Sequence, residues 1–212
     1  MQDVLLIGFG PFLSYSFNQS GDIAKRLNSK IIDGFNIRGF EIKVEHRYAY
    51  DRAKELISSI KPSIVIGMGL AATKGSITIE RVAINYFYFV DSNGDVIEEK
   101  INKNGKDAYF TSLPFNEIRS AIENEGIPAE FSFYADTYLS NELFYAIMEA
   151  AEENSIRYAG FIHLPLIHKQ VIDRKNIHYF TRSNIPSLSY EEELKTIEVT
   201  IKECIKAFNA NR

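Results

Sequence analysis

The chain has 212 residues, 45% hydrophobic and 25% charged. That is enough apolar material for one full core, and the chain reads as a single domain spanning 1–212. Its net charge of -4, with no long basic run, gives no footing for nucleic acid or an anionic membrane surface, and no apolar stretch nears the roughly 18 residues that span a bilayer.

In chain order, Val4 to Phe9 is apolar, has no basic segment before it and is cut by Gly8, Gly10 and Pro11; it reads as a buried first strand and not as a signal peptide. Ser20 to Leu27 suits a short helix capped by Asn18 or Ser20. Glu41 to Tyr48 alternates and predicts a half-exposed strand. Tyr50 to Ile60 is helical in pattern and stops at Lys61-Pro62. Ser63 to Gly69 predicts a buried strand, Ser76 to Val90 an extended run rich in β-branched and aromatic residues, and Asp91 to Gly94 a turn. The polar stretch from Asp95 to Thr111 reads as a surface excursion. A helix over Pro114 to Glu125, a strand over Pro128 to Tyr134, a helix over Ser140 to Glu153, a strand over Arg157 to Pro165 and a closing helix over Tyr190 to Phe208 follow. Strands alternating with helices make this an α/β chain with a largely parallel sheet covered on both faces.

In such sheets, sites gather beyond the carboxyl ends of strands. Gly8-Phe9-Gly10, Gly67-Met68-Gly69, Ala135 to Ser140 and His163 all fall at such ends. Ser140 shares a helix face with Leu143, Phe144, Ile147 and Ala151, so its hydroxyl points inward. Taken alone it is an ordinary N-cap serine; beside a base it is a nucleophile. His163, in Gly160-Phe161-Ile162-His163-Leu164-Pro165, is either that base or a structural histidine. Glu80 is the carboxylate that orients the base, or else an ion-pair partner of a nearby basic residue or a solvated strand residue. His46, His168 and His178 lie in more polar settings and make weaker candidates. Phe9 and Phe12 bracket Gly10-Pro11 and offer a flat apolar slot for a small ring. Gly69-Leu70-Ala71-Ala72 could present backbone N–H groups to an oxyanion.

No metal-ligand spacing and no phosphate or dinucleotide fingerprint is present, so neither a metal nor a cofactor is expected. The one cysteine, Cys204, excludes an intrachain disulfide and fits a reducing, cytoplasmic setting. It lies on the apolar stripe of the closing helix, as a buried structural thiol.

Together these segments resemble, in order along nearly the whole chain, the pyroglutamyl peptidase (pyrrolidone-carboxylate peptidase) family of cysteine peptidases. The resemblance is carried by Gly8-Phe9-Gly10-Pro11-Phe12 with Asn18, by Gly69-Leu70-Ala71 with Ile79 to Asn85, by Thr137-Tyr138-Leu139-Ser140-Asn141, by Gly160 to Pro165 and by Pro186 to Tyr190. It implies a three-layer α/β/α sandwich, a homo-oligomer (dimer or tetramer), and removal of N-terminal pyroglutamate from peptides or action on a small cyclic amide. It also implies catalytic roles for Ser140, His163 and Glu80. Phe9, Phe12, Asn18, Leu70, Ala71, Tyr138 and Leu139 would then line the substrate site.

Serine stands where the family has cysteine, and Asp136 stands where glycine is usual. The segment from Tyr86 to Gly94 lacks the usual arginine and Pro-Asp-Asn run, and Leu13-Ser14 replaces a glycine pair. Three readings follow: a working Ser-His-Glu hydrolase, an inactive homologue that keeps the fold, and an introduced Cys→Ser exchange, which accounts for Ser140 but not for Asp136.

Overall fold

A computed structural model describes residues 2–12, 15–90, 93–172 and 185–211. Leu13, Ser14, Asp91, Ser92 and His178, each part of a reading above, lie outside the described residues.

The first half of the chain runs β1 (Gln2–Phe9), α1 (Gln19–Leu27), β2 (Ile31–Ile32), β3 (Phe35–Ile42), α2 (Tyr48–Ile60) and β4 (Ile64–Leu70). The short strands β5 (Ile77–Glu80), β6 (Val82–Ile84), β7 (Phe87–Val90), β8 (Val96–Glu99) and β9 (Ala108–Phe110) come next. The chain then continues with α3 (Phe115–Asn124), β10 (Ala129–Ser132), α4 (Leu139–Glu153), β11 (Tyr158–Leu164), α5 (His168–Ile172) and α6 (Tyr190–Ala210).

Seven strands form the central sheet in the order β10-β5-β11-β4-β1-β3-β2. Pairing is parallel from β3 through β1 and β4 to β11, and between β10 and β5; β5 against β11 and β2 against β3 are antiparallel. Strand alternation divides the core into two layers. Val4 and Leu6 of β1 face Ile23, Ala24 and Leu27 of α1, in one cluster with Ile118 of α3 and Ile197 and Ile201 of α6. Leu5 and Ile7 face the other way, in a cluster with Ala53 and Ile57 of α2 and Leu143 and Ile147 of α4. Both faces being covered explains why β1, β4 and β11 read as continuous apolar runs. The result is a three-layer α/β/α arrangement with a largely parallel sheet.

Three expectations need correction. The strand expected over Glu41 to Tyr48 is β3, which ends at Ile42 because its partner β1 ends at Phe9; residues 43–45 leave the sheet and Tyr48 already opens α2. The extended run from Ser76 to Val90 is three strands, broken at Arg81 and Asn85: β5 joins the main sheet, whereas β6 and β7 pair with β9 and β8 in two-stranded ribbons. The excursion from Asp95 to Thr111 therefore supplies two paired strands and a buried anchor, Ile101. Asp33-Gly34, at φ 45° and 83°, closes a hairpin between β2 and β3 that the hydrophobic pattern does not announce, since β2 is two residues long.

Candidate active site

The carboxyl ends of β1, β4 and β11 and the start of α4 surround one cavity of about 690 Å³. Ser140 and His163 both line it, as do all seven residues expected at a substrate site: Phe9, Phe12, Asn18, Leu70, Ala71, Tyr138 and Leu139.

Glu80 lies behind His163, fully buried, with Oε1 2.7 Å from His163 Nδ1. The antiparallel pairing of β5 on β11 explains this contact. It sets Glu80 opposite Phe161, so Glu80 and His163 share a face and sit one diagonal apart, within reach of a long side chain. With Nδ1 as the donor to the Glu80 carboxylate, Nε2 is the ring nitrogen left to take a proton. Full burial excludes the solvated alternative for Glu80.

Ser140 is not the cap of its helix. Tyr138 is the N-cap of α4 and no side chain caps it. Ser140 instead sits in the first turn, where the amides of an uncapped helix start lack intrahelical partners and carry the positive end of the helix dipole. Room for its hydroxyl comes from Gly69, which is in register with His163 on β4: a methyl group at Gly69 would lie 2.9 Å from Ser140 Oγ. Asn141, the next residue, is fully buried. Its Nδ2 donates to the carbonyls of Ile84 (2.9 Å) and Tyr86 (3.0 Å), and its Oδ1 accepts from Ile84 N (3.0 Å).

One expectation changes here. The Ala71 amide donates to Leu164 O at 2.8 Å, which closes the sheet and leaves that N–H unavailable to an oxyanion. Asn18 lines the cavity and also caps α1, its Oδ1 accepting from Ser20 and its Nδ2 donating to Gly10 O. The cavity also takes in residues the sequence did not single out, among them Tyr15, Val44, Lys74 and Tyr134. Tyr15 packs tilted against Phe12, with centroids 5.4 Å apart. Val44 continues the alternation of β3 beyond its last pair, a signal that was available. Tyr138 stacks on Phe89 at 4.3 Å and 17°, which fixes one wall. Asp136 has φ 72°, a left-handed value that suits glycine and is tolerated by aspartate. Its carboxylate accepts from Thr137 N at 2.7 Å.

The pyroglutamyl peptidase family model matches residues 2–207. The chain belongs to the pyroglutamyl peptidase family. A pyrrolidone-carboxylate peptidase of Oceanobacillus iheyensis is 36% identical over 95% of this chain and 98% of its own. Among solved structures, pyrrolidone carboxyl peptidase from Thermococcus litoralis matches with a TM-score of 0.91 at 34% identity, covering 100% of this chain and 97% of its own. A mutant pyrrolidone carboxyl peptidase from Pyrococcus furiosus matches at 0.88 and 32%, over 97% and 99%. These likenesses span the whole pyroglutamyl peptidase fold, including each of the strand ends around the cavity.

Proposed function

We propose that the chain is a hydrolase that removes N-terminal pyroglutamate from peptides through Ser140, His163 and Glu80. The buried Glu80–His163 pair at the wall of a cavity that also holds Ser140 carries this reading. The pyrrolidone ring enters among Phe9, Phe12, Tyr138 and Leu139. Ser140 Oγ attacks the carbonyl carbon of the pyroglutamyl bond while His163 Nε2 takes its proton and passes it to the departing amine. Water, activated by the same nitrogen, then releases pyroglutamate from the serine ester. Glu80 keeps the ring in the useful tautomer and stabilises the transient imidazolium. The uncapped first-turn amides of α4 face the charge that develops on the carbonyl oxygen.

One observation favours a second reading, an inactive homologue. The Asp136 carboxylate lines the same cavity, which is the wrong sign for holding an oxyanion, and a serine in a pocket shaped for sulfur lacks the intrinsic nucleophilicity of a thiol.

Turnover of a chromogenic pyroglutamyl amide by the protein and by its Ser140→Ala and Ser140→Cys variants separates the two. Turnover by the parent that the alanine variant loses is the expected result. Turnover by the cysteine variant alone establishes the second reading. No turnover by any of the three, with no binding of pyroglutamate in calorimetry, overturns both.

A further inference from the structure

The start of α4 is held without a helix cap. A side-chain cap fixes a helix start by accepting from the amide of its second or third residue, which in α4 would be Ser140 or Asn141. No side chain caps α4, and its first helical bond runs from Glu142 N to Tyr138 O at 3.0 Å. Asn141 holds the turn from another direction. Consecutive helical residues point about 100° apart, so its side chain leaves the side of Ser140 and reaches the backbone between β6 and β7. Nδ2 donates to the carbonyls of Ile84 and Tyr86, and Oδ1 accepts from Ile84 N. Both donors and the acceptor of this amide are engaged, at 0% exposure.

The clamped segment is itself held. Asn85, between the two carbonyls, donates from Nδ2 to Asn102 O (2.7 Å) and accepts at Oδ1 from Asn102 N (2.9 Å). Just beyond it, Tyr88 N donates to Thr137 O at 2.9 Å. On the other flank, Glu142 Oε1 accepts from Arg47 N at 3.0 Å, where α2 begins. Ser140 therefore lies between Thr137 on one side and Asn141 and Glu142 on the other, and their contacts reach β7, the turn after β6 and the start of α2. None of these bonds takes an amide of residues 139–141.

Resting on the proposed function, we infer that Asn141 is a positioning residue. Its side chain fixes the first turn of α4 against residues 84–86, and through that turn it sets the place of Ser140 Oγ beside Gly69, in the cavity that His163 lines. The turn is held while its amides remain uncapped for a developing oxyanion. A capping side chain would hold the same turn by occupying one of them. With the clamp removed, the hydroxyl drifts from the imidazole and the amides lose their aim, whereas Phe9 and Phe12, at the end of β1, keep their places. The loss therefore falls on kcat more than on KM.

Two measurements on Asn141→Ala test this. In the parent background, kcat should fall about a hundredfold with KM within about threefold of the parent's. In the Ser140→Cys background, alkylation by iodoacetamide is followed against pH with and without Asn141→Ala. Helix-start amides and a neighbouring imidazolium lower a thiol's pKa. Loosening the turn should therefore move the alkylation midpoint of the introduced thiol upward and slow its labelling near neutral pH by about tenfold. Cys204, read on its own peptide, should stay unlabelled in both. Asn141→Ser, whose shorter side chain cannot bridge both carbonyls, takes the place of the alanine variant where that does not fold. An unchanged alkylation profile overturns the inference, whatever kcat does. So does labelling of Cys204 in native buffer, or failure of both variants to fold, because either assigns Asn141 to stability alone. Because alkylation needs no turnover, a parent without peptidase activity defeats the proposed function alone, and the alkylation profile still decides for or against the clamp.

Discussion

Ser140 and Cys204 carry the two hydroxyl or thiol groups that the sequence placed on the apolar stripe of a long helix, and they end in opposite states. Ser140 sits in the first turn of α4, at the cavity edge, beside a glycine that gives it room. Cys204 sits deep in α6 with 0% exposure, and burial pushes its thiol far above the ordinary range. Cysteine is intrinsically the better nucleophile, yet the apolar setting keeps Cys204 protonated and out of reach. Place along the helix, more than element identity, decides which group can react: a helix start offers unpaired amides and an opening, and a helix interior offers neither.

The largest expected effect tests that contrast with one reagent. In the Ser140→Cys variant, iodoacetamide should label the introduced thiol rapidly and leave Cys204 untouched until denaturant is added, as read by mass spectrometry of the peptides. Equal labelling of both thiols in the folded protein would erase the distinction between the two regions. Next comes the support behind the reacting group. Glu80→Gln preserves shape but frees the imidazole to take the wrong tautomer, so kcat should fall by about 10³- to 10⁴-fold with KM little changed. A loss below tenfold would remove Glu80 from the mechanism. Smaller is Gly69→Ala, whose added methyl meets Ser140 Oγ at 2.9 Å; displacement of the hydroxyl should lower kcat by about a hundredfold, with pyroglutamate binding by calorimetry as the control on the pocket.

The smallest effect concerns α6 itself. Glu193 is fully buried and neither carboxylate oxygen has a well-formed hydrogen bond, although Gln19 lies near; burial holds its carboxyl well above the usual range. The folded state therefore binds a proton that the unfolded state releases earlier. Its contribution to stability is complete below the ordinary carboxylate range and is lost as pH climbs towards the raised folded value. Melting temperatures of the parent should fall over that climb, and Glu193→Gln, neutral at every pH, should flatten the slope. An unchanged slope would show that Glu193 is solvated in the folded protein.

Much of this was legible in the chain. The continuous apolar runs of β1, β4 and β11 announced strands buried on both faces, and the stripe through Leu143, Ile147 and Ala151 announced the packed face of α4. The residues of the cavity wall were legible as glycine- and aromatic-rich strand ends. The breaks at Arg81 and Asn85 were not, because β-branched residues favour extended backbone whether it pairs with the main sheet or with a ribbon. Nor were the roles of Asn141 and Glu142, which as polar residues on a helix look solvated until their partners on β6, the turn after it and residues 46–47 are known.

What the sequence by itself determined is local: which residues alternate, which stripe is apolar, and that Cys204 belongs inside. Side-chain hydrophobicity repeats along a strand or helix whatever lies elsewhere. What only the tertiary structure decided is direction and register. Because β5 runs antiparallel to β11, Glu80 meets His163; because Ala71 closes on Leu164, its amide is unavailable; because Gly69 faces Ser140, the hydroxyl fits. Those outcomes depend on pairings between segments tens of residues apart, and no periodicity within a single segment records the strand that will lie beside it.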